Sequence, residues 1–411
     1  MSWTPRPTVF IDDREYTGRT VGNVSITRGR QNVFNDSQPG YASIEIIDTD
    51  AEGLGFEINA VVQVTVLDGD DVPVRLFTGF VSDWSSQVVR SGDGVVVRYR
   101  LRAVGPLARL ARRQVMSGGR GEELDGARVL DAIEQGSLIS WEEWIIQSWE
   151  DTASDLTWEE FDPGYDPSLI DSGVFDIAAL DPEDGGYVAS RVIASAAQSA
   201  QGVLFETADG FIGYADANRR RANAVAGFLD IPWGLVREGA FSLESSLADV
   251  TNRVFVEFDG GIVQEEEEFS IIRFGVQETV LRTELANQAN AEARAIDYLF
   301  SHIDPRVEVN DVKVNLRSDV PSALRNSLLR VGPNGAVRLT GVPAATGALG
   351  FRGFVEGVSY RLNDFEFDVD LFVSDFALSV GAVRYGQVDP TLEYGQVDPT
   401  LEYREAREVT S

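Results

Sequence analysis

The sequence predicts a mainly β protein with an α+β insert, in which two β-barrel-like units flank a mixed α/β segment and one long helix lies in the second unit. Three observations carry this reading. Apolar residues alternate with polar ones through the first hundred positions, the period of half-buried strands. After about Gly118 the spacing becomes helical. Further on, the stretch EARAIDYLFSHIDPRVEVNDVKV (292–314) passes from helical to strand period within itself. The chain divides accordingly into an N-terminal β unit (1–117), a mixed unit with an acidic, Trp-rich stretch (118–235), a second β unit including a helix over 283–302 (236–380) and an extended tail (381–411).

The elements follow in order. TVFIDDREYTG, VGNVSITRGR, YASIEIIDTD, AVVQVTVLD, VRLFTGFVSDWSSQV and GVVVRYRLRAV read as successive strands separated by Gly-rich turns. In the last of these, Val97, Tyr99, Leu101 and Ala103 share one face and Arg98, Arg100 and Arg102 the other. LDGARVLDAIEQG and GYVASRVIASAAQSAQG are amphipathic helices, and VLFETADGFIGYAD is a hairpin around Asp209-Gly210. NRVFVEFDG and EEEFSIIRFG continue the second β unit. In the long helix Leu285, Ala289, Ala293, Ile296, Leu299 and Phe300 recur at steps of three and four, and Asp304-Pro305 ends it. Val307 and Val309 then alternate on odd positions while Val312, Val314 and Leu316 alternate on even ones, so Asn310-Asp311 must absorb a bulge or turn. AVRLTGV and GFVEGVSYRLNDFEFDVDLFVSDF complete the strands. LFTGFVSDW and GFRGFVEGVSY share a Phe-x-Gly-Phe-Val element, a faint sign of internal duplication.

Composition excludes much chemistry. The 411 residues contain no cysteine, one histidine and a net charge of −31, with Lys313 the only lysine. Disulfides, thiolate nucleophiles and zinc–sulfur sites are ruled out, and HExxH zinc sites cannot be built. His302 reads as a helix-terminal residue favoured by the dipole. There is no G-x-S-x-G elbow, and Lys313 sits in a strand rather than after the glycine of a phosphate-binding loop. Such an acidic chain is a poor general ligand for nucleic-acid phosphates. No apolar run reaches the length of a membrane span, and MSWTPRPTVFIDDREYTG lacks the apolar core of a cleaved signal.

Charge is placed unevenly. From Val88 to Arg120 eight arginines stand against Asp93 alone (+7), and from Glu122 to Asp184 nineteen acids stand against Arg128 (−18). Complementary packing, within the chain or between copies, would use that contrast, which nominates Arg98, Arg100 and Arg102 as interface residues. Trp141 and Trp144, in SWEEWIIQSWEDTASDLTWEEF, fit a packed helical stripe or an interface. A sugar platform is the alternative, and catalysis by Glu142, Glu143, Glu159 or Glu160 a weaker one, since glycoside hydrolysis needs two carboxylates roughly 5 to 9.5 Å apart. Glu265 to Glu268 lack the interleaved glycine of a calcium loop and read as a charged hairpin end or a blunted sheet edge. YGQVDPTLE occurs twice, from Tyr385 and from Tyr394, as an extended tail or a paired docking strip headed by those tyrosines.

The motifs VSITRGRQNVF, LFTGFVSDW, YRLRAVGPLARLARR, GARVLDAI, SAAQSAQGVLFETADGFIGY, SLADVTNRVFVEF, AEARAIDYLFSHIDPRVEVNDVKV and GFVEGVSYRL occur in an order and spacing that resembles the tail hub (baseplate hub or minor tail) proteins of tailed bacteriophages, siphophages especially. The resemblance spans residues 20 to 376. It implies a non-enzymatic virion protein without cofactor or metal: a trimer whose paired barrels form a six-part hub ring at the tail tip, assembled in the host cytoplasm. Its implied partners are the distal tail or tail tube protein, the tape-measure protein and tip or fibre proteins, with the genome passing transiently through the ring. The Trp-rich segment and repeated tail lie outside the resemblance, which leaves a carbohydrate-binding, receptor-recognising tip protein as the alternative reading.

Overall fold

The computed structural model describes residues 3–137, 165–237, 243–305, 308–316 and 320–376, apart from short gaps within these ranges. The six N-terminal stretches expected as strands form seven, because TVFIDDREYTG folds back on itself: β1 (Thr8–Ile11), β2 (Arg14–Thr17), β3 (Val21–Gly29), β4 (Gln38–Asp48), β5 (Val61–Leu67), β6 (Pro73–Ser91) and β7 (Gly94–Val104). β2 hides none of its residues, whereas β1, β3, β4, β5 and the latter part of β7 hide alternate ones. In β4 these include Ala42, Ile44 and Ile46, and in β7 Tyr99, Leu101 and Ala103.

The mixed segment follows with α1 (Leu107–Leu110), β8 (Gln114–Val115), β9 (Glu123–Leu124), α2 (Asp125–Ser137), β10 (Tyr165–Ile170), β11 (Asp176–Ile177) and β12 (Tyr187–Val188). It continues with α3 (Ala189–Ser199), β13 (Val203–Glu206), β14 (Ile212–Ala215) and α4 (Arg219–Ala226). The hairpin of β13 and β14 turns at Gly210, whose φ of +88° only glycine adopts without strain.

The last third contains β15 (Leu229–Pro232), β16 (Leu243–Glu244), β17 (Arg253–Phe258), β18 (Gly261–Glu266), α5 (Glu268–Phe274), β19 (Glu278–Arg282), α6 (Gln288–His302), β20 (Glu308–Val309) and β21 (Asp311–Asn315). It closes with α7 (Ser322–Arg330), β22 (Ala336–Thr340), β23 (Phe351–Leu362) and β24 (Phe367–Asp375). The fold is mainly β with a mixed insert, as the sequence predicts. The strands of the two barrel-like units do not close separately among the described residues; they join in one 12-stranded sheet. The physical reason lies in β23. Phe351–Phe354 pair with β22, a bulge falls at Glu356, and Gly357–Leu362 pair with β3. One strand thereby ties the two ends of the chain.

The buried residues form two large cores. One core joins β1–β7 to Ile231 and to residues from Val309 to Val373. A second runs from Leu107 to Ile303 and includes α6. The small faces of Ala291 and Ala295, with Leu299, let α6 lie close against Val254, Val256 and Val263 of β17 and β18. The bent strand divides at position 310, as its parity change requires: β20 pairs with β16, whereas β21 pairs with β24 in the large sheet.

EEEFSIIRFG is not a strand. Glu268–Phe274 is a helix, because the Glu267 carboxylate accepts the Ser270 N–H (2.8 Å) as an N-cap and Gly275, at φ +73°, ends it. Glu265 and Glu266 instead lie on β18, an edge strand, where Arg253 donates to Glu266 at 2.8 Å. The Phe-x-Gly-Phe elements have matching geometry. A Cβ built at Gly79 of β6 would lie 2.6 Å from Cζ of Phe77, and one at Gly353 of β23 would lie 2.6 Å from Cζ of Phe351. In both, a phenylalanine ring covers the glycine two residues on.

Candidate functional site

Among the described residues no group of three His, Asp or Glu side chains is placed to hold a metal. No described helix is long and apolar enough to cross a membrane. His302 ends α6 as expected but is buried, its ring stacked on Tyr298 (centroids 4.1 Å, 14° between planes) and its Nδ1 2.8 Å from the Tyr298 carbonyl. Trp141, Trp144, Tyr385 and Tyr394 lie outside the described residues.

Arg98, Arg100 and Arg102 are described, on the outward face of β7. Arg98 pairs with Glu45 of β4 at 2.6 Å and Arg102 with Asp83 of β6 at 3.5 Å. Arg100, between them and exposed, forms no ion pair among the described residues. The arginine face thus begins as a cross-strand charge ladder within the chain, with one cation left over.

Sequence reasoning missed two buried junctions where the cores meet. The first is centred on Glu356. The bulge leaves this residue without a partner across the strand, and its carboxylate points into the interior. Arg220 of α4 grips it in bidentate fashion (2.8 and 2.7 Å), Arg30 beyond β3 donates from Nε at 2.6 Å, and Ser374 of β24 donates its hydroxyl. Arg220 also donates to the Asn334 side chain at 3.0 Å. Burial alone would push the Glu356 carboxyl up, but Arg220 and Arg30 outweigh it and hold it down at about 2. From the arginine side the balance is less favourable. Burial and the neighbouring Arg220 draw Arg30 below its usual value despite Glu356, because two cations share one anion. Gly29 is required here: its φ is +85°, and a Cβ would come within 2.4 Å of the Glu356 carbonyl oxygen.

The second junction is Glu206, at the end of β13 and 2 % exposed. Its carboxylate accepts the N–H of Gly40 (2.6 Å) at the start of β4 and of Leu107 (2.7 Å) at the start of α1. Burial raises its pKa to about 7 against these two hydrogen bonds and the pull of Arg28. A Cβ at Gly105 would lie 2.0 Å from this carboxylate, so the chain must pass with no side chain. Nearby, Asp125 at the start of α2 accepts the Val174 and Phe175 N–H groups (2.7 and 2.8 Å) and the Tyr214 hydroxyl (2.6 Å). Burial raises the Asp125 carboxyl and lifts the Tyr214 phenol well above its ordinary value. These groups fix backbone at the ends of strands and helices.

No family model matches the chain, and no curated protein matches it. Its fold is similar to that of two solved structures. One is the 43 kDa tail protein of prophage MuSo2 from Shewanella oneidensis, with a TM-score of 0.56 and 13 % identity, covering 91 % of this chain and 99 % of that one. The other is a tail protein from Neisseria meningitidis MC58, with a TM-score of 0.56 and 11 % identity, covering 92 % and 98 %.

Two predictions follow from the junctions. Replacing Glu356 with Ala strands two buried guanidinium groups, and urea unfolding is expected to show a loss of about 3–5 kcal/mol; a loss within about 0.5 kcal/mol would mean that water already solvates the site. Glu206 works in the opposite direction. Its folded pKa of about 7 exceeds its ordinary 4.5, so its favourable contribution is complete below about pH 4.5 and is lost as pH rises through 7. The wild type should lose about 3 kcal/mol across that window relative to Glu206→Gln, which carries no titrating group there. Parallel stability–pH curves for the two proteins would refute the assignment.

Proposed function

We propose that this chain is a structural, non-enzymatic component of a phage tail, in which three copies form the hub ring at the tail tip. The observation that carries the reading is the likeness to two tail proteins over more than nine-tenths of both chains in each comparison. In this setting the ring joins the distal tail or tail tube protein to the tip and fibre proteins, meets the tape-measure protein inside, and lines the path of the leaving genome.

The physics of the chain supports each part. Two strand-rich ends are fused into one sheet and each carries a Phe-x-Gly-Phe element, so in a trimer six such ends would ring the axis. A net charge of −31 makes an acidic channel wall that DNA phosphates do not grip. Phe269 and Ile272 of α5, 69 % and 74 % exposed, supply apolar area of the kind that assembly covers. The outward arginines of β7, with Trp141, Trp144, Tyr385 and Tyr394, are the proposed contact residues.

Light scattering across a concentration series tests this first, with an expected mass of three times 45.0 kDa. A monomer at every concentration, with or without tail-tube protein, would sink the ring. If the β7 arginines join copies, Arg98→Gln, Arg100→Gln and Arg102→Gln together should weaken association and flatten its salt dependence. Unchanged assembly assigns all three to the solvated charge ladder.

A further inference from the structure

A cleft of about 720 Å³ opens between α3, α6 and the loop that leaves β3. Its apolar side comes from Leu107 and Leu110 of α1 and Ala194 and Ala197 of α3. Arg294, Tyr298 and His302 line it from α6 at four-residue intervals, which places them on one helix face. Arg191 and Arg282 also line it.

Most of the charge around this cleft is accounted for. Arg30 and Arg220, at its deep end, are held by Glu356. Arg282 lies 3.6 Å from Glu257. Of the two lining acids, Asp36 accepts from Gln198, and Asp216 caps the backbone N–H groups of Asn218 and Arg219. Arg294 differs. It forms no ion pair among the described residues, and its Nε is fully shielded from solvent with no hydrogen-bond partner. Its only ring contact is with Tyr298, 5.5 Å from the centroid. Asp297, one turn along α6, attracts it without reaching ion-pair distance, and burial depresses the guanidinium to about 10. The rest of the guanidinium is half-buried without a counter-ion, so an anion from outside would gain at this point.

We propose that this cleft binds an acidic peptide segment of a partner protein, with Arg294 receiving a carboxylate and the Leu107/Leu110 side receiving an apolar residue beside it. Charge complementarity selects the sign of the occupant, and the apolar side selects a peptide over a nucleic acid. Nucleic-acid backbones are gripped by rows of exposed cations, whereas here the cation is half-buried and apolar side chains line the same cleft.

The test uses the full chain and fluorescein-labelled hexapeptides of alternating residues, Glu-Leu and Gln-Leu, read by fluorescence anisotropy. The Glu-Leu peptide is expected to bind saturably, roughly tenfold or more tighter than the Gln-Leu peptide. Arg294→Gln should remove that preference, and Arg294→Lys should keep part of it. Thermal unfolding separates a binding role from a structural one: Arg294→Gln should melt at or above the wild-type temperature, because it removes an uncompensated charge. Absence of saturable binding, equal affinity for both peptides, or tighter binding of a labelled single-stranded DNA oligonucleotide overturns the proposal. So does Arg294→Gln binding like the wild type, or a large drop in its melting temperature.

Discussion

The structure depends on one buried carboxylate. Glu356 lies at the bulge where β23 stops pairing with β22 and starts pairing with β3, so it marks the place where the two ends of the chain become one sheet. A regular strand would continue the ladder through this position and turn the side chain according to the period-two rule. The bulge frees it to receive Arg30 from the N-terminal strands and Arg220 from the mixed segment. Three regions that are remote in sequence thereby share one anion. Desolvation opposes each ion separately by several kcal/mol. It is offset only because the carboxylate accepts from both guanidinium groups and from the Ser374 hydroxyl, all at hydrogen-bond range.

Around that anchor the two cores have different characters. The core of the large sheet is built mainly from Val, Ile, Leu and Phe side chains alternating along strands. The core formed by residues 107–303 contains α2, α3 and α6 and is alanine-rich where helices approach strands. Glu206 and its two backbone donors connect them, and Gly40 and Gly105 leave the space that the carboxylate fills. The polar groups sit at the seams between units, where strand and helix ends expose backbone N–H groups that would otherwise lack partners.

What the sequence revealed follows from the range of the interactions. Alternation in β1–β7 and the 3.6-residue spacing of α2 and α3 are local, and the structure has them where they are expected; α6 instead starts at Gln288, after Leu285, and buries Ala291, Ala295 and Leu299 while Ala289 and Ala293 of the expected stripe are exposed. The parity change at Asn310-Asp311 was legible too, since a strand cannot turn its apolar residues to one core after a one-residue slip. Glu268–Phe274 was misread because Phe269, Ile271, Ile272 and Phe274 are good strand formers; the stop at Gly275 was the available signal, and a Glu as N-cap is a weak one. The helix over Ser322–Arg330 was overlooked although Leu324 and Leu328 are four apart and Pro321 precedes it. Nothing local, however, pairs Arg30 with Glu356 across 326 positions, or Gly105 with Glu206 across 101. Both junctions are products of topology. The outward arginines of β7 were readable as a face, but their partners Glu45 and Asp83 became visible only with the strand order.

The buried and half-buried charges form a series according to how completely they are compensated, and the series separates architecture from recognition. Glu356 meets two guanidinium groups, and its depressed pKa shows that ionisation is favoured inside the protein. Glu206 meets two peptide N–H groups and the more remote Arg28; dipoles compensate less than charges do, and its pKa rises to about 7. Arg294 meets no counter-charge at bonding distance. The first arrangement holds the fold at every ordinary pH, and the second holds it best when protonated. The third contributes least to the isolated chain, because an unpaired guanidinium is stabilised by little inside a protein. Its compensation must come from another molecule, and a cleft beside it with an apolar wall gives that molecule a place to sit.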